Sequence, residues 1–289
     1  QFGDQPLMPS IISNGKAGCC FIPSAAAAAT ILPHKLSACI LAILLLLSLP
    51  AHAANEEVTP PYAQLQGWSL GPLLLVVDQP YRGKDTRIIV VPAIGYQSEY
   101  VFVQGLRFGV HMKRSRRLSL DVLLQPRFSA FKASDIKDVP GLENRRDSVD
   151  AGFDLRVNLQ GEGALRMMAL TDVLDRSNGQ EFDLRYEYSL RFGSTRISPR
   201  VGARWLSSKL TAYSYGTLPS EVARGAPHYQ PGAVILPQVG VSAFVPLEHS
   251  KWSIFTLITS SFLPARLRDS PLVGGDTATT FIASASYHF

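Results

Sequence analysis

The sequence predicts an all-β fold, an antiparallel transmembrane β-barrel of ten to twelve strands with short periplasmic turns and longer extracellular loops. Three observations carry that prediction. The first is strict alternation. In EFDLRYEYSLRF, residues 181–192, Phe182, Leu184, Tyr186, Tyr188, Leu190 and Phe192 form one file. Glu181, Asp183, Arg185, Glu187, Ser189 and Arg191 form the other. A period of two sends successive side chains to opposite faces of a strand. About ten tilted residues cross a bilayer's hydrocarbon core, whereas strands of soluble proteins run about five or six. The second observation is that tight polar turns and long loops alternate along the chain. The third is the ending TFIASASYHF, an apolar file of Phe281, Ala283, Ala285, Tyr287 and Phe289 that closes on an aromatic residue. A half-buried strand of a soluble sandwich explains the first observation but gives no reason for connections sorted by length.

The chain has 289 residues, and its first part reads as a leader. His34 and Lys35 precede an apolar run over 36–49, Pro50 breaks the run, and Ala51-His52-Ala53 follows as a small-x-small cleavage site. That order is a secretory signal peptide. A spanning helix needs roughly 20 residues, and the run is shorter. The stretch LSAC at 36–39 matches a lipoprotein box, but its apolar run follows the cysteine instead of preceding it. The expected organisation is a leader with a cleavable signal peptide at 1–53, a periplasmic N-terminal segment at 54–67, and an outer-membrane β-barrel at 68–289. Cleavage would expose Ala54. All three cysteines, Cys19, Cys20 and Cys39, lie in the leader, so the mature chain is expected to have no disulfide and no cysteine metal site. The sequence pI is about 9.2, yet acids and bases are interspersed and the longest basic tract is KRSRR at 113–117. No basic patch sits on a nucleic-acid-binding module, so nucleic acid is not an expected partner.

Past the leader the candidate strands run in order. Segment 68–77 is apolar but barely alternates. Segments 86–96 and 100–112 follow. In 118–128, Leu118, Leu120, Val122, Leu124 and Phe128 alternate with Ser119, Asp121, Gln125 and Arg127. In 149–159, Val149, Ala151, Phe153, Leu155, Val157 and Leu159 alternate with Asp150, Gly152, Asp154, Arg156 and Asn158. Segment 165–173 precedes 181–192. In 196–205, Ile197, Val201, Ala203 and Trp205 alternate with Arg196, Ser198, Arg200, Gly202 and Arg204. Segments 233–245, 252–263 and 277–289 complete a set of eleven. Tight connections fall at KRSRR, QGEG (160–163), FGST (192–195) and LEHS (247–250), and long ones at 130–146, 174–180, 207–232 and 266–276. Bacterial barrels have an even number of strands. Either 86–96 and 100–112 form one bent strand, giving ten, or a strand is missing, giving twelve. The tight turns fix the direction from Tyr100 onward, which places the discrepancy before it.

In this arrangement Phe182 and its file meet lipid, and the charged file faces a lumen. Candidate lumen-facing charges are Asp183, Arg185 and Glu187, with Arg196, Arg200 and Arg204 of the next strand placed to sit opposite Asp183 and Glu187. A narrow interior tolerates such charges when they are paired, so they read as structural first and as pore lining second. A serine hydrolase would need a histidine beside a serine. His111, His228, His249 and His288 carry no nucleophile motif nearby, and Ser250 follows His249 only in a tight turn. No histidine metal spacing is present. No enzyme, cofactor or metal is expected. GYQSE (95–99) and VGGD (273–276) read as turn and loop chemistry. Asp269, Ser270 and Pro271 of DSPLV read as a turn, or as a loop that folds into the lumen or meets a partner.

From about Trp68 to Phe289 the sequence resembles the MipA/OmpV family, also called MltA-interacting protein. The matching pieces are Pro80-Tyr81-Arg82-Gly83-Lys84-Asp85, then Pro92 and Tyr96, and Gly141-Leu142 and Arg145 before Gly152. Tyr213, Tyr215, Gly216, Glu221, Ala223 and Tyr229 follow, and Asp269-Ser270-Pro271-Leu272-Val273 precedes the closing Tyr287-His288-Phe289. GTLPSEVARGAP at 216–227 departs from the usual loop, and 68–77 is poorer in alternation. The resemblance implies an outer-membrane barrel that scaffolds peptidoglycan remodelling, with a murein lytic transglycosylase and a penicillin-binding synthase as partners. For other members it implies osmotic response, adhesion or antibiotic uptake. Besides those enzymes, the expected partners are outer-membrane lipid and, through Phe289, the outer-membrane assembly machinery. The competing function is a narrow channel for small polar solutes.

Overall fold

The computed structural model describes residues 66–83, 86–128, 131–136, 138–159 and 161–289. The expected leader at 1–53 and most of the expected periplasmic segment lie outside the described residues.

One antiparallel sheet closes on itself. Its strands are β1 (Gly67–Asp78), β2 (Arg87–Gln97), β3 (Val101–Gln104), β4 (Arg107–Arg114), β5 (Leu118–Arg127), β6 (Ser148–Asn158) and β7 (Gly163–Asp172). They continue as β8 (Gln180–Tyr188), β9 (Leu190–Phe192), β10 (Thr195–Leu206), β11 (Val234–Pro246), β12 (Trp252–Phe262) and β13 (Thr277–His288). Strands consecutive in sequence pair with each other, except that β8 and β9 both pair with β10 and not with one another, and β13 pairs with β1 to close the circle. The seam sets Ser69 opposite His288 and Leu75 opposite Ile282, and the amide of Phe289 donates to the carbonyl of Trp68 at 3.0 Å. Both ends of the barrel segment therefore lie at one rim, as an even stave count requires.

The count is twelve staves, because β9 continues β8 past an irregularity at Ser189 and pairs only with the start of β10. The extra strand lies within 100–112, not before Tyr100. Residues Gly105 and Leu106 turn that segment into the hairpin β3–β4, with Gln104 opposite Arg107. Gly105 takes a φ of 60°, a left-handed conformation that glycine adopts without strain. Segment 68–77, the weakest alternator, is a full stave with partners on both sides.

The outward file is exposed and apolar: Phe182, Leu184, Tyr186 and Tyr188 on β8 and Val201 and Trp205 on β10. The inward file of the same strands is buried and charged, with Asp183 at 3% exposure. Aromatic pairs sit at the tight-turn rim, with ring centroids 4.6 Å apart for Trp68 and Tyr96 and 5.4 Å for Trp252 and Tyr287. Such rings hold the headgroup level. Apart from the upper edge of β2 and the end of β5, the sheet satisfies its ladder bonds within the protein and buries polar groups inside an apolar belt, which is the architecture of the bacterial outer membrane. No described helix is long and apolar enough to cross a membrane.

The long connections carry short helices that alternation could not reveal. These are a 3-10 turn (Ala133–Asp135), α1 (Ser208–Tyr215), α2 (Pro219–Val222) and α3 (Ala265–Arg268). Ser207 caps α1, its Oγ accepting from the amide of Leu210 at 3.4 Å. Pro219 opens α2, and Glu221 reaches back to accept from the amide of Leu218 at 2.7 Å.

Candidate functional site

The barrel interior and the loops above it hold the buried polar groups. On β5 to β10 many inward residues are charged, and those charges are paired. Arg127 bonds Glu181 at 2.6 Å and Asp150 at 2.7 Å. Asp154 takes Arg107 at 2.8 Å and also Arg166. Glu187 takes Arg156 at 2.9 Å and Arg200 at 3.6 Å. Alternation sends the acids and bases of each strand to this face; direct opposites are often of like sign, as Asp121 with Asp154 and Arg166 with Arg185, and the ion pairs run diagonally or across an intervening strand. Burying one such charge alone would be prohibitive, so the pairing is a condition of the fold.

The register sets Glu187 opposite Arg200 and Asp183 opposite Arg204. The ion pairs run differently in part. Asp183 bonds Arg185 of its own strand at 2.7 Å, while Arg204 reaches Glu181 at 3.6 Å. Gln238 links the two, its amide nitrogen 3.0 Å from Asp183 and its oxygen 2.7 Å from Arg204 Nε, the only orientation that sets donor against acceptor. Arg196 is not brought to either acid; it lies opposite Arg191 toward the tight-turn rim. Arg127, Asp150, Asp154, Arg156 and Glu181 complete the network from polar files already visible in the sequence. Their mutual contacts depend on strand order, which alternation alone does not fix.

The inner wall of β1, β2, β12 and β13 differs. Register places Leu73 opposite Val91 and Leu75 opposite Ile89 on β2, and Leu75 and Leu257 both opposite Ile282 on β13. Leu75 is buried, while Ile88 and Val90 of the outward file are exposed. Half of the interior is thus ionic and half is apolar with serine and threonine between. A further apolar cluster of Phe102, Leu123, Met168 and Leu170 fills part of the ionic side.

Two histidines lie on the inner face. His111 Nδ1 is 2.6 Å from Asp121, its Nε2 is 2.9 Å from Gln97, and its ring stacks on Phe102. Ser253 Oγ lies 2.8 Å from His288 Nε2, a serine–histidine contact across the β12–β13 ladder that the sequence did not show. Among the described residues His288 has no carboxylate hydrogen bond to complete a triad, and no cluster of three or more ligands could hold a metal.

Four loops meet across the mouth. Tyr81 of the β1–β2 loop packs on Phe131 of the β5–β6 loop and Tyr215 at the end of α1, with centroids 4.8 and 5.8 Å away. Its hydroxyl donates to the carbonyl of Ser214 at 2.9 Å. Burial pushes its phenol well above the ordinary value. Ile136, Val139, Ala226 and Leu272 complete this cluster, and Leu206, Leu210, Leu263, Leu267 and Val273 form a second beside it. Fully burying a leucine stabilises by about 1.5–3 kcal/mol, and Leu267 and Leu272 are fully buried. Arg145, from the β5–β6 loop, bonds Glu221 of α2 at 2.6 and 2.9 Å and the carbonyl of Tyr213 at 2.6 Å. Asp269, Ser270 and Pro271 belong to this cap. Asp269 ends α3, and the hydroxyl of Ser270, fully buried, donates to the carbonyl of Tyr215 at 2.5 Å.

A profile of the family described as MltA-interacting protein MipA matches residues 70–289, most of the chain and the whole barrel after the first few residues of β1. The chain belongs to the MipA family. The MltA-interacting protein of Escherichia coli (strain K12) is 29% identical over 227 residues, covering 77% of this chain and 90% of its own length. The MltA-interacting protein of Shigella flexneri gives the same identity and coverage. Among solved structures, an outer membrane channel from Pseudomonas putida F1 aligns with 83% of this chain and 100% of its own, at 11% identity and a TM-score of 0.36. In this MipA-family barrel, Arg145 and Glu221 of the sequence match meet as one ion pair, and Tyr81, Tyr215 and the DSPLV stretch meet in one cap.

Proposed function

We propose that this MipA-family barrel is a non-enzymatic interaction protein that holds peptidoglycan-remodelling enzymes at the outer membrane. The observation that carries the proposal is membership of a family whose curated relatives are named MltA-interacting proteins. The geometry is consistent with it: among the described residues most interior charges stand in ion pairs and the loop end is capped, so the described surface open to the periplasm is the tight-turn rim. That rim carries Lys113, Arg114, Arg116 and Arg117, all exposed. A murein lytic transglycosylase and a penicillin-binding synthase are the partners in this proposal. Phe289, 71% exposed at the same rim, is the contact offered to the assembly machinery.

A specific interface needs roughly 800 Å² per partner, more than one tight turn presents. The segment at 54–67, with Pro60-Pro61 favouring an extended form, supplies the rest. The test is a pull-down from detergent-solubilised envelopes with and without residues 56–64, after confirming that the barrel assembles. Loss of the wall enzymes on deletion supports the proposal; undiminished capture moves the contact to the turns; and no capture from the intact chain refutes it. A second function, a narrow channel for small polar solutes, draws on the ionic half of the interior.

A further inference from the structure

The barrel wall is not fully paired. Strand β2 bonds β1 along its whole length, from Arg87 to Gln97. On its other side only Gly95, Tyr96 and Gln97 have a ladder partner, the short β3. The β3–β4 hairpin ends at Gly105 and Leu106, where the amide of Gly105 donates to the carbonyl of Ile94 at 3.0 Å. Above that bond, Arg87 to Ala93 have no ladder partner on this side among the described residues. Nor do Gln125, Pro126 and Arg127 of β5, whose pairing with β4 stops at Leu124. At about 3.3 Å per residue the free edge of β2 is roughly 20 Å long. Each rim carries a proline, Pro92 and Pro126, and a residue without an N–H loses nothing at an unpaired rim. The side chains confirm the gap: Ile88 and Val90 are 66% and 69% exposed, more than any other apolar strand residue.

At the top the opening is spanned by side chains, not by a ladder. Arg87 bonds Asp147 at 2.9 Å and lies over the ring of Phe128, and Gln79 donates to the carbonyl of Phe128 at 2.8 Å. An unpaired strand edge is not tolerated against lipid tails. This one must face water or a ligand.

We infer that this gap is a lateral opening through which a small anionic amphipath passes between the outer leaflet and the barrel interior. The hydrocarbon part is assigned by β2, which is apolar on both faces: Ile88 and Val90 outside, Ile89 and Val91 inside, the last two backed by Leu73 and Leu75. A chain threading the gap stays on apolar surface throughout. The charge is assigned by the arginines around the opening. The side chains of Arg87, Arg107 and Arg127 are 33%, 26% and 14% exposed. Their inner partners Asp154, Asp150 and Glu181 are only 6%, 1% and 7% exposed, with Asp147 on the rim the exception at 31%. The Nε of Arg107 is left without a hydrogen bond. A carboxylate or phosphate entering the gap meets guanidinium first, the group that binds it best. The cap across the mouth leaves the side of the barrel as the route from the membrane.

The test uses full-length protein in phospholipid vesicles, with Cys19, Cys20 and Cys39 replaced by serine so that each added thiol is unique. Dodecyl maleimide, dissolved in the bilayer, reports access from the hydrocarbon. The expected result is that Val91→Cys, facing inward beside the gap, is labelled about as fast as the outward Val90→Cys. Ser242→Cys, facing inward on β11, should react roughly tenfold or more slowly, since an alkyl chain must cross ionic groups to reach it. Ile89→Cys reads the same opening if Val91→Cys does not assemble. Dodecanoate should slow the labelling of Val91→Cys, dodecyltrimethylammonium should not, and Arg107→Gln should abolish the effect of dodecanoate. Labelling of Val91→Cys no faster than Ser242→Cys means the wall is closed and overturns the inference. Equal protection by the anion and the cation overturns the assignment of charge.

Discussion

Arg145 and Glu221 face each other through paired hydrogen bonds of 2.6 and 2.9 Å, with 1% and 0% of their side chains exposed. The two residues come from loops four staves apart around the barrel. Glu221 also accepts from the amides of Glu143 and Leu218, each at 2.7 Å, and Arg145 sits over the rings of Phe131 and Tyr213. One side chain from each loop thus fastens the cap.

Breaking that pair from one side leaves a buried charge without a partner. Glu221→Gln keeps the shape but strands the Arg145 guanidinium, and such truncations destabilise by about 3–5 kcal/mol. The loss is confined to the cap, because the strands keep their ladders. Hydrogen exchange should show faster exchange over 207–232 and 131–146, with the β-strands unchanged. Replacing both residues, as Arg145→Met with Glu221→Leu, should do less damage than Glu221→Gln alone.

Acid should loosen the cap by the same contact. Burial alone would raise the Glu221 carboxyl, but hydrogen bonds from Arg145 and from the amides of Leu218 and Glu143 outweigh it and hold the group below its ordinary 4.5. A carboxyl depressed in the folded state contributes stability that is complete above its unfolded value and is lost as pH falls through the folded one. Pepsin cleavage within 207–232 should therefore rise as pH falls from the ordinary glutamate value through the depressed folded one. A Glu221→Gln barrel, already loosened, should show a flatter dependence.

The two faces of β8 predict opposite tolerances. Leu184 is 40% exposed on the outer belt, and an arginine there near the membrane midplane costs roughly 2–4 kcal/mol. Arg185→Gln removes the 2.7 Å bond to Asp183 but leaves the position among polar groups. Outer-membrane yield, read by heat-modifiable migration, should fall sharply for Leu184→Arg and mildly for Arg185→Gln. Equal yields of Leu184→Arg and the unaltered chain would reverse the faces.

The staves were legible because one physical rule, lipid outside and charge inside, writes itself into every second residue. The missing strand was also written there. Outward residues of 100–112 are Val101 and Val103, then Phe108, Val110 and Met112: the apolar file changes from odd to even positions across Gly105 and Leu106. A change of phase marks a two-residue turn, and continuous apolar content hid it. The cap was not legible, because Phe131, Ile136, Val139, Ala226 and Leu272 follow no period and become neighbours only when four loops converge. The free edge of β2 was equally hidden: its apolar run reads as a strand, and what is absent is a neighbour.

The cap decides how the barrel treats ions. A conducting path needs continuous water from the mouth to the periplasm, and the loops interpose two apolar clusters and a sealed ion pair. The lateral gap offers ions no substitute, since it leads into hydrocarbon. The intact protein in a planar bilayer should therefore be silent, and a variant lacking 209–225, which removes most of α1 and all of α2, should give steady conductance steps. Those steps should be modest in size, because the paired arginines and acids of β5 to β10 still crowd the lumen. Assembly of the variant is checked first by heat-modifiable migration. Steady, ion-selective steps from the intact chain would show that the cap opens spontaneously, and would favour the narrow channel over the scaffold.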